Sequence, residues 1–208
     1  MQNILIVTSS ALGPDSASTR IAEEYAALLL RTHPEAAIVR RDVGSDPIPH
    51  LTVDTVGAIR GTPSTDAGRD TLALSDALVG ELQAADLVVI ASPMYNFGIS
   101  STLKTWFDHV LRAGITFRYT DAGPEGLLKG KKAVVIESRG GTYSEGPAAI
   151  MDSQEGHLRG MLGFVGVEDV SFVRAEKLAF GPDAAEASIA GAIAELSSLT
   201  ADELALAA

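Results

Sequence analysis

Five short apolar runs recur along the chain: "NILIVTS" (residues 3–9), "AAIVRRD" (36–42), "DLVVIAS" (86–92), "KAVVIES" (132–138) and "DVSFVRA" (169–175). Three have a continuous Val/Ile-rich centre, the pattern of strands covered on both faces in a parallel sheet. Amphipathic stretches separate them. "STRIAEEYAALLLRTH" (18–33) sets Ile21, Tyr25, Leu28 and Leu29 on one helical face. "GRDTLALSDALVGELQAA" (68–85) does the same with Leu72, Leu74, Leu78, Val79 and Leu82. "STLKTWFDHVLRAG" (101–114) carries Leu103, Trp106, Phe107, Val110 and Leu111, with Gly114 as a natural stop. Further helices are expected near 153–163 and 183–198, and the end, "TADELALAA" (200–208), is expected to fray.

Alternating β and α elements predict one α/β domain over residues 1–208: a doubly wound five-stranded parallel sheet with helices on both faces. The expected strand order is 2-1-3-4-5, the flavodoxin-like arrangement. Two connections are long, 43–67 and 114–131, and loops of that length are uncommon unless functional. The second contains "ITFRY" and then "DAGPEG", which predicts a β-hairpin excursion. Both are expected to rim a site at the carboxyl edge of the sheet.

Composition narrows the partners. Lys and Arg total 16 against 27 Asp and Glu, a formal charge of −11 with no basic run. Such a surface repels nucleic acid and anionic lipid, so a bound phosphate must be held by neutral local donors. There are no cysteines, and the four histidines lack ligand spacing. Thiolate chemistry is excluded, no metal site is expected, and redox chemistry would need a cofactor. His109, within a helical pattern, is assigned a structural role. "MQNILIV" has no basic leader, and no apolar run approaches the ~18 residues of a membrane span. A cytoplasmic protein is expected.

In an open α/β sheet of this order, ligands bind beyond the carboxyl ends of strands 1, 3 and 4. "SSALGPDSAST" after strand 1 is neither G-x-G-x-x-G nor a P-loop. It brings Ser10, Ser16 and Ser18 to the start of a helix whose first turn has no carboxylate. Those hydroxyls and the free helix N–H groups could take an anion, with Ala17 contributing backbone only, or Ser16 or Ser18 could simply cap the helix. "PMYNF" after strand 3 puts Met94, Tyr95, Asn96 and Phe97 where a solvated turn is usual. The rings could fill core space, but an amide among apolar groups is costly unless paired, so Asn96 argues for a ligand edge. "SRGG" after strand 4, Ser138, Arg139, Gly140 and Gly141, is either a plain left-handed glycine turn or a donor pair close to a ligand. Together the three describe FMN: phosphate over the first helix, flat heterocycle on Met94–Phe97, polar edge toward Ser138–Gly141.

With these motifs, "SPMYNF", "LKTWFDHVLRAGITFRYTDAGPEGLLKGKKAVVIESRGG" and "LGFVGVEDVSFVRAE", the chain resembles the FMN-dependent NADH-azoreductases, which are flavodoxin-like quinone reductases. The resemblance spans nearly the whole chain, while residues 151–160 depart from it. It implies a homodimer with two FMN sites at the interface. It also implies ping-pong two-electron hydride transfer from NADH to planar quinones or azo compounds, with NADPH a possible donor because no 2′-phosphate site is legible. It places FMN contacts on Ser10, Ser16–Ser18, Met94–Phe97 and Ser138–Gly141, and substrate contacts on Arg60, Tyr119 and Phe164. The flavin carries the chemistry, so no catalytic side chain is assigned. A one-electron carrier on the same fold, without a substrate pocket, is the alternative; the 114–131 excursion favours an enzyme.

Overall fold

The computed structural model describes residues 1–206. Five parallel strands form one sheet: β1 (Asn3–Thr8), β2 (Ala37–Asp42), β3 (Leu87–Pro93), β6 (Lys132–Ser138) and β7 (Asp169–Ala175). Their order is β2-β1-β3-β6-β7, with β4 (Phe117–Thr120) and β5 (Gly123–Gly126) forming a separate antiparallel hairpin. With the hairpin set aside, this is the expected order 2-1-3-4-5. Each apolar run is a strand because both of its faces are covered. Leu5, Val7, Val88, Ile90 and Val135 face one core with α2 (Asp66–Ala84), α3 (Ser101–Val110) and α4 (Glu155–Val165). Ile4, Ile6, Val89, Val134 and Ile136 face another with α1 (Ala17–Thr32) and α5 (Pro182–Leu206). All of β3 is buried, as a central strand must be, whereas edge strand β2 keeps exposed positions.

Two helix ends differ from expectation. Helix α3 stops at Val110, short of Gly114. The buried Thr116 hydroxyl donates to the Val110 carbonyl (2.7 Å) and accepts from the Arg112 N–H (2.8 Å), so a side chain beyond the helix caps it. Helix α5 continues through Leu206 instead of fraying after 199, because Leu196 and Thr200 are buried and Leu199 packs on the same core. Residues 207–208 of the expected frayed end lie outside the described residues. Helix α4 closes on Gly166 at φ 97°, the left-handed cap that glycine adopts without strain.

The hairpin is present, but its place differs from the reading above. Helix α3 starts at the carboxyl edge of the sheet and runs back, and the hairpin leaves from its far end and rejoins the sheet at Lys132, the amino edge. A helix between parallel strands must return this way, so only the 43–67 connection borders the carboxyl edge of its own chain. That connection is pinned along α3: Pro49 O accepts from His109 Nε2 (3.0 Å), and His50 Nδ1 bonds Thr105 Oγ1 (2.9 Å). His109 is buried and its pKa is lowered by desolvation, so it is a neutral tie to the loop. At the loop's start, a Cβ on Gly44 would overlap the Ser10 carbonyl, so only glycine fits there. Trp106, fully buried on α3, packs edge-on against Phe107, and its indole N–H makes no hydrogen bond. Among the described residues, no helix is long and apolar enough to cross a membrane and no metal-binding cluster occurs.

Candidate functional site

The three predicted segments meet beyond the carboxyl ends of β1, β3 and β6. Strand registers put Thr8 beside Ala91 and Pro93 beside Ser138, so the chain leaves all three strands at one level. Side chains then tie the exits together. Ser9 Oγ donates to Ala91 O (2.9 Å), Met94 N–H donates to Ser138 O (2.9 Å), and the Tyr95 hydroxyl accepts from Ala11 N–H (2.9 Å) and bonds Ser10 Oγ (3.3 Å). Tyr95 therefore holds the first loop rather than filling core.

Ser16 occupies the cap position of α1, yet its side chain does not cap. Ser16 Oγ bonds Ser18 Oγ at 3.1 Å instead, with both residues buried. The first turn carries no acidic residue and no side-chain acceptor, so the helix presents its N–H groups and positive dipole end uncompensated. The capping alternative for Ser16 is thus set aside. Ser10 Oγ also accepts from Leu12 N–H (3.2 Å), and its proton is available to a ligand when the Tyr95 hydroxyl is the donor in their bond.

Tyr95 to Gly98 form a tight turn, each donating its N–H to the other's carbonyl (2.8 and 3.1 Å). Its central residues both have positive φ, 50° at Asn96 and 74° at Phe97, the hairpin-turn geometry that favours asparagine and glycine. Asn96 is exposed, so the cost of a buried amide does not arise, and its residue type instead suits the left-handed backbone. Phe97 is the strained member: a bulky side chain in that region, 38% exposed. Tyr143 stands edge-on to it with ring centroids 6.0 Å apart and lies 3.2 Å from where a Cβ on Gly141 would sit. Phe97 and Tyr143 make an aromatic wall, of which Tyr143 was not foreseen, although "GGTY" places it two residues past the glycines.

Gly140 and Gly141 are not left-handed, which removes the plain glycine-turn reading. Their carbonyls accept from Ala179 and Lys177 N–H groups (both 3.0 Å), and their own N–H groups stay outside that pairing. Arg139, expected at the ligand, turns its side chain away: it is 1% exposed, and its N–H and carbonyl bond Ala175 and Leu178. Its guanidinium meets Glu137 (2.6 Å), Asp152 (2.9 Å) and Glu176 (3.2 Å). Burial pushes the Glu137 carboxyl up to about 7, with Arg139 pulling it back.

The divergent segment 151–160 supports this site. Ser153 donates from N–H (3.0 Å) and Oγ (2.8 Å) to Phe97 O, and Gln154 donates to Ser92 O (2.8 Å). Nothing in composition or periodicity marked Ser153 or Gln154, since Ser153 acts through a backbone carbonyl and Gln154 through a carbonyl and a buried guanidinium distant in sequence.

Arg60, Tyr119 and Phe164 are brought together, but elsewhere. Arg60 and Tyr119 line one cavity of about 390 Å³ with Asp108, Leu111 and Phe117, and Phe117 meets Tyr119 edge-on (5.5 Å) and Phe164 at a tilt (4.5 Å). This cavity lies at the far end of α3, roughly 15 Å along its axis from the Tyr95–Gly98 turn.

The fold and the three converging segments define a flavodoxin-like domain, and the flavodoxin-like fold family model matches residues 2–199. The chain is 54% identical over 192 residues to the FMN-dependent NADH:quinone oxidoreductase of Hyphomonas neptunium, covering 92% of each, and 46% identical over 194 residues to that of Azotobacter vinelandii, covering 92% of this chain and 96% of the other. An azoreductase structure from Bacillus anthracis superposes with a TM-score of 0.87 at 31% identity, covering 96% and 98% of the two chains. A second from that species, an FMN-dependent NADH-azoreductase in complex with FMN, gives 0.82 at 25% identity, covering 96% and 99%. The chain belongs to the flavodoxin-like family of FMN-dependent NADH:quinone oxidoreductases.

Proposed function

We propose that this chain is an FMN-dependent NADH:quinone oxidoreductase that also reduces azo compounds. The single observation that carries the reading is the uncapped, carboxylate-free start of α1 with its paired Ser16 and Ser18 hydroxyls, set beside an exposed aromatic turn. A phosphate fits the first and a flat ring the second. Ser10, Ser16, Ser18 and the Ala17–Ser18 backbone would hold the phosphate by neutral donors, which an acidic chain requires. Met94 to Phe97 and the Tyr143 ring would bed the heterocycle, and its cover would offset the exposure of Phe97. The Gly140 and Gly141 N–H groups would face the edge where negative charge gathers, in the manner of an oxyanion hole. Bound there, FMN supplies two-electron hydride transfer from NADH to a planar acceptor by a ping-pong cycle. The protein's part is to position and to exclude water. NADH as the donor supports a cytoplasmic location.

The separation along α3 supports a homodimer with FMN sites at the interface. Arg60, Tyr119 and Phe164 cannot wall the flavin bed of their own chain from the far end of a ten-residue helix. A second copy can bring its cluster, including Tyr119 at 73% exposure, over the bed of the first.

The test is the visible spectrum of the purified protein, before and after anaerobic NADH. A flavin spectrum that bleaches on NADH is expected, and a colourless protein that fails to take up FMN would refute the assignment. For the dimer, Ser16→Ala/Ser18→Ala and Tyr119→Ala proteins are each expected to turn over poorly apart at limiting FMN, and mixing them with subunit exchange is expected to restore turnover. Failure to restore it with exchange verified would place the substrate wall in the same chain.

A further inference from the structure

A buried ionic cluster lies directly behind the Ser138–Gly141 loop. Arg139 is its hub, and each arm of its guanidinium reaches a different segment of the site. Nη2 bonds Glu137 (2.6 Å), the residue before Ser138, and Asp152 (2.9 Å). Nη1 reaches Glu176 (3.2 Å), whose carboxylate also accepts from the N–H groups of Tyr143 (2.8 Å) and Ser144 (2.9 Å) and from Ser144 Oγ (2.6 Å). That fixes the segment bearing the Tyr143 wall. Nε donates to Gln154 Oε1 (3.2 Å), and Gln154 donates onward to Ser92 at the end of β3. Its neighbour Ser153 grips Phe97 O. One side chain thus spans the glycine loop, the aromatic wall and the strained turn.

The cluster is built beyond what stability asks. Replacing buried ion pairs by apolar side chains of equal volume is often neutral or stabilising. Here the cost is visible: Glu137 is fully buried, and its Oε1 makes no hydrogen bond. The groups facing it are Arg139 from its own loop, Arg174 of β7 at 3.6 Å, Glu155 of α4, which is paired with Arg174 and Arg159, and Asp152 before that helix. Against three arginines, Arg139, Arg174 and Arg159, stand four carboxylates, Glu137, Asp152, Glu155 and Glu176. Glu137 is the one set to neutralise, and it titrates at about 7.

We propose that Arg139 is a positioning residue of the flavin site, held by the ionised Glu137 carboxylate and setting the Ser138–Gly141 loop, the Tyr143 wall and the Tyr95–Gly98 turn at one fixed spacing. The inference rests on the FMN reading above and adds to it. When Glu137 takes up a proton, the charge-assisted tie to Arg139 is lost and the hold on FMN loosens.

The experiment measures the FMN dissociation constant by equilibrium dialysis at about pH 6 and pH 8, for the natural chain, Glu137→Gln and Arg139→Lys. With titration at about 7, Glu137 is about nine-tenths ionised at the higher pH and about one-tenth at the lower. Glu137→Gln is expected to weaken binding about tenfold at pH 8, the worth of a charge-assisted bond, and to match the natural chain within about twofold at pH 6. Arg139→Lys, which keeps the charge but not the fork, is expected to show the same narrowing of its ratio. The phosphate's own ionisation near 6 is common to all and cancels in the ratios. The double variant should bind no more weakly than the worse single one, since both cut one tie. Ratios that do not change with pH, or effects that multiply, would overturn the proposal. Melting of the flavin-free proteins identifies any variant that fails to fold, and either ratio alone is decisive. If the natural chain binds no FMN at either pH, it is the functional reading that fails, not this one.

Discussion

Phe97 carries two burdens that substitution can separate. Its ring belongs to the aromatic bed, and its backbone sits at φ 74°, where a non-glycine residue costs about 1–2 kcal/mol. Phe97→Ala removes the ring and keeps the backbone strain. Phe97→Gly removes both, but adds freedom to the unfolded chain worth roughly 0.5–1 kcal/mol. Both lose the edge contact with Tyr143, so it drops out of the comparison. The glycine variant should therefore be more stable than the alanine variant by about 0.5–1 kcal/mol, the reverse of the ordinary ranking. For a chain of 208 residues that is a difference of roughly 1–4 °C in melting temperature. Both should bind FMN more weakly by about 1–2 kcal/mol, roughly five- to thirtyfold, for the lost apolar cover. The assays are thermal unfolding of the flavin-free proteins and FMN titration. An alanine variant as stable as the glycine variant would show that the turn is unstrained, and undiminished FMN affinity in either would remove Phe97 from the site.

Three more predictions address the rest of the site. Gly44→Ala forces a Cβ into the Ser10 carbonyl, so it should cost at least about 2 kcal/mol of stability and lower FMN retention; an unchanged urea midpoint would refute the close approach. Ser16→Ala with Ser18→Ala should leave the melting temperature of the flavin-free protein nearly unchanged, because neither side chain caps α1, while weakening FMN binding about tenfold or more; loss of stability without loss of affinity would restore the capping role. Glu137, raised from 4.5 to about 7 in the fold, contributes stability that is full below 4.5 and is lost as pH rises through 7, on the order of 3 kcal/mol in all. Denaturation midpoints of the natural chain should fall relative to Glu137→Gln across that window, and parallel pH profiles would contradict the assignment.

The sheet was legible because burial on both faces writes itself into composition: "LVVIASP" has no polar position to spare, and β3 is buried throughout. The return path of α3 was equally implicit in alternating topology, yet the 114–131 excursion was assigned to the wrong edge, since loop length alone does not say which end of a helix it leaves. The site's residues were legible as types and partly misread as reasons. Asn96 marks the turn through its backbone, not through a buried amide, because exposure depends on where the chain goes after Phe97. Arg139 stands in the binding motif but points behind it. Its partners Glu137, Asp152 and Glu176 are spread over 40 residues and look like surface acids in one dimension. Ser153 bonds the Phe97 carbonyl, and Gln154 links the Ser92 carbonyl to the buried Arg139, contacts that leave no trace in residue pattern.

Trp106 gives the molecule an optical property of its own. It is the one tryptophan in the chain, it lies in a dry contact on α3, and its indole N–H has no acceptor. Its emission in the native state therefore falls at the blue end of the indole range and moves red when water reaches the ring. Six residues separate it from Ser100, the cap of the helix that starts beside the aromatic turn, which is about 9 Å of helix. A yellow chromophore held at that distance absorbs where indole emits. Wavelength would then report whether the chain is folded and intensity whether the bed is filled, both from the same unlabelled sample.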